Sequence, residues 1–490
     1  MALTTLIDCP VAPGRLARPI LRTASHAPRP PWRPGFACLV VVFLGFGTLA
    51  YLSYVAHPGV GVLGWYTTIL WTAPALTSVA GLVGGVRTAL RLRKPQSRIF
   101  PPEPVEDLLL VVVPTIGRED TFGALERAVR SFCQHLPAAF PNMRVDVVVE
   151  EDCAAGDPIR MLARETPAMR IITVPRTYRT PNGTRFKARA NHYAAELRLA
   201  DGEARDDVWV LHMDDDTGVG ADTTRSLAEF VAAQRLAGER GLHLGQGVLS
   251  YPRECSSNRL TWLADSIRPG CDISLFAAST GSGSPRNGLH GELLLIRASV
   301  EASIGWDFGP RSLVEDAEFA LRFCERHPGR SGWFAGRSYG ASPVTVGDFV
   351  RQRERWVWGL LELATNRTIP LRTRVTLARS VAIWVCGPAQ HPAVVLLLGA
   401  LLHDFDTSPA TVALVPLWAL SMAFLIWLYW EGLKVNASSS SAPRRTWWEP
   451  LVLLALLPLF SLWEVLGVLR GVMRFLRNAE STFTVIAKPM

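Results

Sequence analysis

Val208-Trp209-Val210-Leu211-His212-Met213-Asp214-Asp215-Asp216-Thr217 is the stretch on which the reading of this chain turns. A short apolar run passes straight into three carboxylates. Strands that are apolar without alternation are buried on both faces, as in parallel sheets covered by helices. Such sheets bind ligands beyond the carboxyl ends of their strands, which is where the acids fall. Residues 214 and 216 lie on one face of an extended chain. Their hard oxygen donors suit Mg²⁺ or Mn²⁺ bridging a diphosphate. An isolated acidic triplet is as readily a solvated turn or a helix cap. Its place behind a buried strand, with three further motifs in the same region, favours ligation.

Outward from this stretch, residues 105–350 keep alternating strand and helix patterns. The apolar runs 108–113, 145–149 and 171–174 read as further buried strands. The first ends in Pro114-Thr115 and the second in Glu150-Glu151-Asp152. Residues 120–135 and 186–199 have helical spacing. The pattern predicts an α/β domain with a mostly parallel sheet flanked by helices.

The flanks have another character. The chain has 490 residues, 49% of them hydrophobic and only 19% charged, against about 25% charged in ordinary globular domains. Mean hydropathy is +0.18. Residues 1–35 form a basic tail rich in Pro, Arg and Ala. Apolar runs at 36–56 and 62–86, joined by His57-Pro58-Gly59, have arginines outside both ends, so they predict a transmembrane hairpin with both ends cytoplasmic. After the α/β region, runs at 381–402, 410–430 and 447–473 predict two to four more spans. Lys434, Arg444 and Arg445 mark a cytoplasmic loop, and Ser438 to Ser441 read as a flexible linker. The expected order is tail 1–35, hairpin 36–86, catalytic domain 105–345, interfacial helix 346–370, transmembrane helices 375–475 and tail 476–490. The net charge of +8 fits a phosphate-bearing ligand or an anionic bilayer. No zinc-finger or RNP-type pattern points to nucleic acid. The eight cysteines form no CxxC pair, so neither a zinc site nor a redox dithiol is expected.

Three further constellations carry chemistry. Glu315-Asp316 opens a helical pattern after Gly305-Trp306-Asp307; Asp316 is the candidate base for a hydroxyl nucleophile, although two acids also suit a helix N-terminus. Gln352-Arg353-Glu354-Arg355-Trp356 lies in a helix at 346–365. It offers a phosphate contact and a stacking face, or else an interfacial helix with Arg351, Arg353 and Arg355 at the headgroups and Trp356 and Trp358 in the aromatic belt. Thr180-Pro181-Asn182-Gly183-Thr184-Arg185-Phe186-Lys187-Ala188-Arg189 is a turn opening a cationic helix, a good seat for phosphate or a solvated basic face. His290-Gly291 closes a glycine-rich loop, and His290 is either an acceptor contact or a structural histidine.

Taken in order, the strand-end Asp, the acidic triplet, the Glu-Asp pair and QxxRW resemble membrane-bound family 2 glycosyltransferases of the GT-A fold, the layout of cellulose and hyaluronan synthases. The Pro-Asn-Gly turn with Lys187-Ala188-Arg189, Asn287-Gly288-Leu289-His290-Gly291 and Ser342-Pro343-Val344-Thr345 are similar to the egghead-like β-1,4-mannosyltransferases. The likeness covers about residues 105–365.

That resemblance implies GDP-mannose as donor, a lipid-linked sugar as acceptor, Mg²⁺ or Mn²⁺ as cofactor and inversion at the anomeric carbon. It implies Asp316, with Glu315, as catalytic and Asp214 and Asp216 as metal ligands. Donor binding would fall to Thr115, Asp152, Lys187, Arg189, Asp215, Gln352 and Arg355, and acceptor binding to His290, Gly291 and Trp356. In the egghead-like pattern the triplet usually reads Asp-Glu-Glu; three aspartates here leave open which carboxylates meet the metal. Eukaryotic members act on a glucosylated sphingolipid, whereas the Arg- and Ala-rich style of this chain looks bacterial. The expected location is therefore a bacterial plasma membrane with the catalytic domain cytoplasmic. The alternatives are a processive polysaccharide synthase and, in another class, a membrane scaffold that binds nucleotide sugars without turnover.

Overall fold

The computed structural model describes residues 104–386, 409–441 and 448–479, together with 40, 44, 75, 78, 79 and 81–87. The N-terminal tail, nearly all of the expected hairpin, the segment 387–408, the Arg444-Arg445 loop and the last residues lie outside the described set.

In chain order the elements are β1 (Leu108–Pro114), α1 (Phe122–His135), β2 (Met143–Glu150), α2 (Gly156–Glu165), β3 (Met169–Val174), α3 (Phe186–Ala200) and β4 (Val208–His212). There follow α4 (Ala221–Ala237), β5 (Leu244–Val248), α5 (Arg259–Asp265), α6 (Ile267–Cys271), a π-helical turn (Asp272–Phe276), α7 (Ala277–Gly281), β6 (Leu294–Arg297) and α8 (Ala298–Ile304). The rest are α9 (Glu315–Arg326), β7 (Ser331–Arg337), α10 (Val346–Thr365), α11 (Leu371–Cys386), α12 (Pro409–Ser439) and α13 (Glu449–Leu476).

The strands form one sheet in the order β3-β2-β1-β4-β6-β5-β7. β1 shows why the apolar runs become strands. Leu109, Val111 and Val113 enter one core and Leu110 and Val112 the other. In β4, Trp209 and Leu211 take the first side and Val208 and Val210 the second. An extended chain sends alternate side chains to opposite faces, so only a segment apolar at every position fills both layers. Each fully buried side chain of this size is worth about 1.5–3 kcal/mol.

The sheet is mostly parallel, with one exception that matters for the site. β6 runs antiparallel to both β4 and β5. Leu294, at its start, pairs with His212, at the end of β4. The segment entering β6 is thereby delivered to the edge of the sheet where Asp214 emerges.

The C-terminal helices correct two expectations. Ser438 and Ser439 are not a flexible linker. α12 continues through Ser439, and Arg337 Nη1 donates to the hydroxyls of Ser438 (2.9 Å) and Ser439 (3.0 Å). Ser440 Oγ accepts from the Arg253 amide at 2.9 Å. A serine run persists as helix end here because tertiary partners satisfy its hydroxyls. The second correction concerns α10, whose bounds match the expected helix but whose Arg353 and Trp358 are 1% and 2% exposed. They are interior groups, not headgroup or belt residues. α13 is one continuous helix with Pro458 inside it. Among the described residues it is the helix long and apolar enough to cross a membrane by length and composition, its best window having a mean hydropathy of 2.2.

Candidate active site

The site gathers at the carboxyl ends of β1 and β4, around a cavity of about 1290 Å³. Strand β1 leads into Thr115, whose hydroxyl donates to Asp215 at 2.7 Å and accepts from the Gly117 amide at 3.1 Å. Strand β4 leads into Asp214 and Asp216. A third carboxylate, Glu292, joins them, and ligand oxygens of all three lie within 4.8 Å of one another. Glu292 arrives on the segment entering β6. Its oxygens accept from Thr217 Oγ1 (2.8 Å) and Ser338 Oγ (3.3 Å). Gln246 of β5 holds this segment, donating to the Glu292 carbonyl at 2.9 Å and accepting from the His290 amide at 2.9 Å.

Burial, and then the charges of Asp214 and Asp216, push the Glu292 carboxyl up to about 7. Three hard oxygen donors crowded this way fit a divalent cation, whose charge would relieve the repulsion.

Lys187 comes from the first turn of α3. Its ammonium bonds Asp214 and donates to the Gly291 carbonyl at 3.0 Å. Burial works against this charge, but Asp214 and Glu315 outweigh it and hold the Lys187 pKa above its ordinary value. The Thr180–Thr184 turn before α3 is locked by Asp307, which accepts from the Asn182 amide and the Thr184 hydroxyl, both at 2.7 Å. Gly183 has φ +76° there, a conformation that glycine adopts without strain.

Glu315 and Asp316 open α9, facing the same cavity. Burial and then the neighbouring Asp316 push the Glu315 carboxyl up to about 7. Gly291 sits between Lys187 and Asp316: a Cβ added there would lie 2.7 Å from Lys187 Nζ and 3.6 Å from Asp316 Oδ2. A larger residue there would push the Lys187 ammonium aside.

The remaining candidates divide. His290 is fixed by Asp272, Nε2 to Oδ1 at 2.6 Å, and lines the cavity with Gln352, Arg355 and Trp356. Arg189 also lines it, but its guanidinium is engaged by Glu150 and by the carbonyls of Pro175 and Tyr178. Asp152 is about half exposed, pairs with Arg176 at 2.9 Å and is not in the lining; Glu150, two residues earlier, is.

Residues 209–431 match the model described as Glycosyl transferase family group 2. This stretch, which is under half of the chain, is similar to family 2 glycosyltransferases. Over 224 residues it is 32% identical to β-1,4-mannosyltransferase egh of Drosophila melanogaster, covering 45% of this chain and 47% of that protein. Over 225 residues it is 29% identical to β-1,4-mannosyltransferase bre-3 of Caenorhabditis elegans, with the same coverage. The chain thus spans about half the length of these curated relatives. Among solved structures, the mannosyltransferase PcManGT from Pyrobaculum calidifontis, in complex with GDP-Man and Mn²⁺, aligns with 16% identity and a TM-score of 0.44, covering 83% of this chain and 99% of that one. S. aureus TarS 1–349 aligns with 13% identity and a TM-score of 0.31, covering 76% and 91%.

The fold of the α/β domain is GT-A-like: a mixed sheet flanked by helices, with the acids at the strand ends. Within it, sequence reasoning missed Glu292 and Asp272, and it did not foresee that Arg353 is buried. For Glu292 a signal existed, an acid directly before the apolar run Leu293-Leu294-Leu295-Ile296. Its proximity to Asp214, however, depends on the antiparallel setting of β6.

Proposed function

We propose that this chain is an inverting mannosyltransferase that moves mannose from GDP-mannose to a lipid-linked sugar, forming a β-1,4 linkage. The observation that carries the reading is the convergence, on one cavity, of the Asp214–Asp216–Glu292 carboxylates and of Asp316 across Gly291. The sequence likeness to β-1,4-mannosyltransferases supports the choice of sugar and linkage.

Asp316 accepts the proton of the acceptor hydroxyl as its oxygen attacks the anomeric carbon. The bond from that carbon to the diphosphate breaks, and the nucleoside diphosphate leaves. Asp214, Asp216 and Glu292 would hold Mg²⁺ or Mn²⁺, which supplies Lewis-acid neutralisation of the departing diphosphate. Lys187, beside Asp214, adds a cation at the same place. Thr115 keeps Asp215 oriented through its hydroxyl, while Arg355 and Gln352 face the donor and His290 and Trp356 the acceptor.

The cavity supports a lipid-linked acceptor. Part of its lining is apolar, with Leu377, Val381 and Trp384 of α11 and Phe424, Leu425 and Leu428 of α12. A hydrocarbon chain would be solvated there while its sugar reaches Asp316. We place the protein in a membrane through α12 and α13, with the catalytic domain cytoplasmic, on the apolar length of α13 and the arginine-rich flanks at Arg87, Arg91, Arg444 and Arg445. A bacterial plasma membrane is our reading of composition alone.

The test uses the full chain in detergent with GDP-mannose, UDP-glucose or UDP-N-acetylglucosamine, each with and without Mn²⁺, and octyl β-glucoside as acceptor. Metal-dependent transfer from GDP-mannose alone is expected, giving one added sugar. Transfer from a UDP-sugar would overturn the mannose assignment, and a ladder of long products would favour a processive synthase.

A further inference from the structure

Within Gln352-Arg353-Glu354-Arg355-Trp356, the residues at 352, 353, 355 and 356 all border the cavity, yet Arg353 is only 1% exposed. Its guanidinium has three acceptors. Nε donates to Glu464 Oε1 on α13 at 2.6 Å, Nη2 to Asp265 Oδ1 on α5 at 2.5 Å, and Nη1 to Gln352 Oε1 at 2.7 Å. The same group lies over the rings of Phe349 (4.1 Å) and Trp356 (4.6 Å).

A guanidinium can only donate, so Gln352 must turn its carbonyl oxygen toward Arg353. The Gln352 amide nitrogen, with its two protons, is then the end left for the cavity. Donors of that kind suit the hydroxyl and phosphate oxygens of a sugar nucleotide. Arg353 is in turn held from two sides, by α5 of the α/β domain and by the apolar helix α13. The close approach of α13 needs small residues. A Cβ at Gly467 would sit 2.6 Å from Arg353 Cβ, and one at Gly471 2.6 Å from the Glu354 carbonyl.

We propose that Arg353 is a positioning residue that acts by fixing the Gln352 amide, with Glu464 of the apolar helix and Asp265 as its anchors. This rests on the reading of the cavity as a nucleotide-sugar site. A purely structural ion pair could be replaced by apolar or neutral groups of similar volume without loss of stability. Such a replacement would not orient an amide.

The experiment is a double-mutant cycle in the full chain. One background is wild type. The other carries Arg353→Met, Asp265→Asn and Glu464→Gln together, so that no buried charge is stranded. Gln352→Ala is introduced into both, and the readouts are melting temperature, affinity for GDP-mannose with Mn²⁺, and kcat and KM for its turnover. The neutral triple variant is expected to melt near wild type yet to lose about tenfold in kcat/KM, the scale of one hydrogen bond. Gln352→Ala should cost about tenfold in wild type and nothing further in the triple variant. Additive losses, or a triple variant as active as wild type, would overturn the inference and leave the proposed function standing. A wild-type protein that neither binds nor turns over a nucleotide sugar would overturn both.

Discussion

Replacing Glu301 by Gln tests the framework that sets the site. Glu301, on α8, is 1% exposed. It accepts from Arg198 of α3 at 2.5 Å, from His212 of β4 at 2.7 Å and from Trp306 at 2.7 Å. Those partners belong to the segments that carry Lys187, Asp214 and Asp307. Burial alone would raise the Glu301 carboxyl, but Arg198 and then His212 and Trp306 bring it down to about 2, against an ordinary value of 4.5. A carboxyl depressed to that extent contributes about 3 kcal/mol at neutral pH. Breaking one partner of a buried ion pair costs about 3–5 kcal/mol, which agrees. The sign follows from the depressed value. The contribution is fully present above pH 4.5 and is lost as the pH falls toward 2. Glu301→Gln should therefore lower the melting temperature by about 6–12 °C at pH 7, followed by tryptophan fluorescence in detergent at one scan rate. The difference from wild type should narrow below pH 4. A drop under about 2 °C, or a difference independent of pH, would refute the reasoning.

Other outcomes follow from the same geometry. Asp316→Asn should reduce transfer about 10²–10⁴-fold while GDP-mannose still binds, measured by calorimetry. Asp214→Asn should weaken Mn²⁺ binding, read by titration with the metal alone, and lower the melting temperature without metal, because the buried Lys187 ammonium loses its ion-pair partner. Glu315 is held at about 7 by burial and Asp316, above its unfolded value. It favours the folded state less as the pH rises from about 4.5 to 7, so Glu315→Gln should flatten that part of the melting curve. Gly432→Ala should be among the most damaging single changes in α12, since the new Cβ would fall 1.6 Å from the Ser266 carbonyl oxygen; a variant that melts like wild type would contradict the packing of α12 against α6.

Some of this protein was legible in one dimension because the physics is local. β1 is apolar at every position and β4 at every position but His212, so their burial on both faces could be read without knowing their neighbours, and Asp214 and Asp216 follow as strand-end acids. The start of α9 at Glu315 and the bounds of α10 were likewise visible from acid placement and helical spacing. Other features depend on where distant segments meet. Glu292 reaches Asp214 only because β6 runs antiparallel beside β4, and an isolated four-residue apolar strand does not encode its direction. Arg353 reads as one more cation on an amphipathic helix until α5 and α13 close over it. Arg189 reads as a phosphate ligand until Glu150 takes its guanidinium, and the serine run at 438–441 reads as a linker until Arg337 and Arg253 bind it. The sequence by itself determined the strands, the helix starts and the chemistry of the acids, because those depend on periodicity and residue type. Only the tertiary structure decided which charges are paired and which face the cavity, because pairing depends on long-range contact and burial.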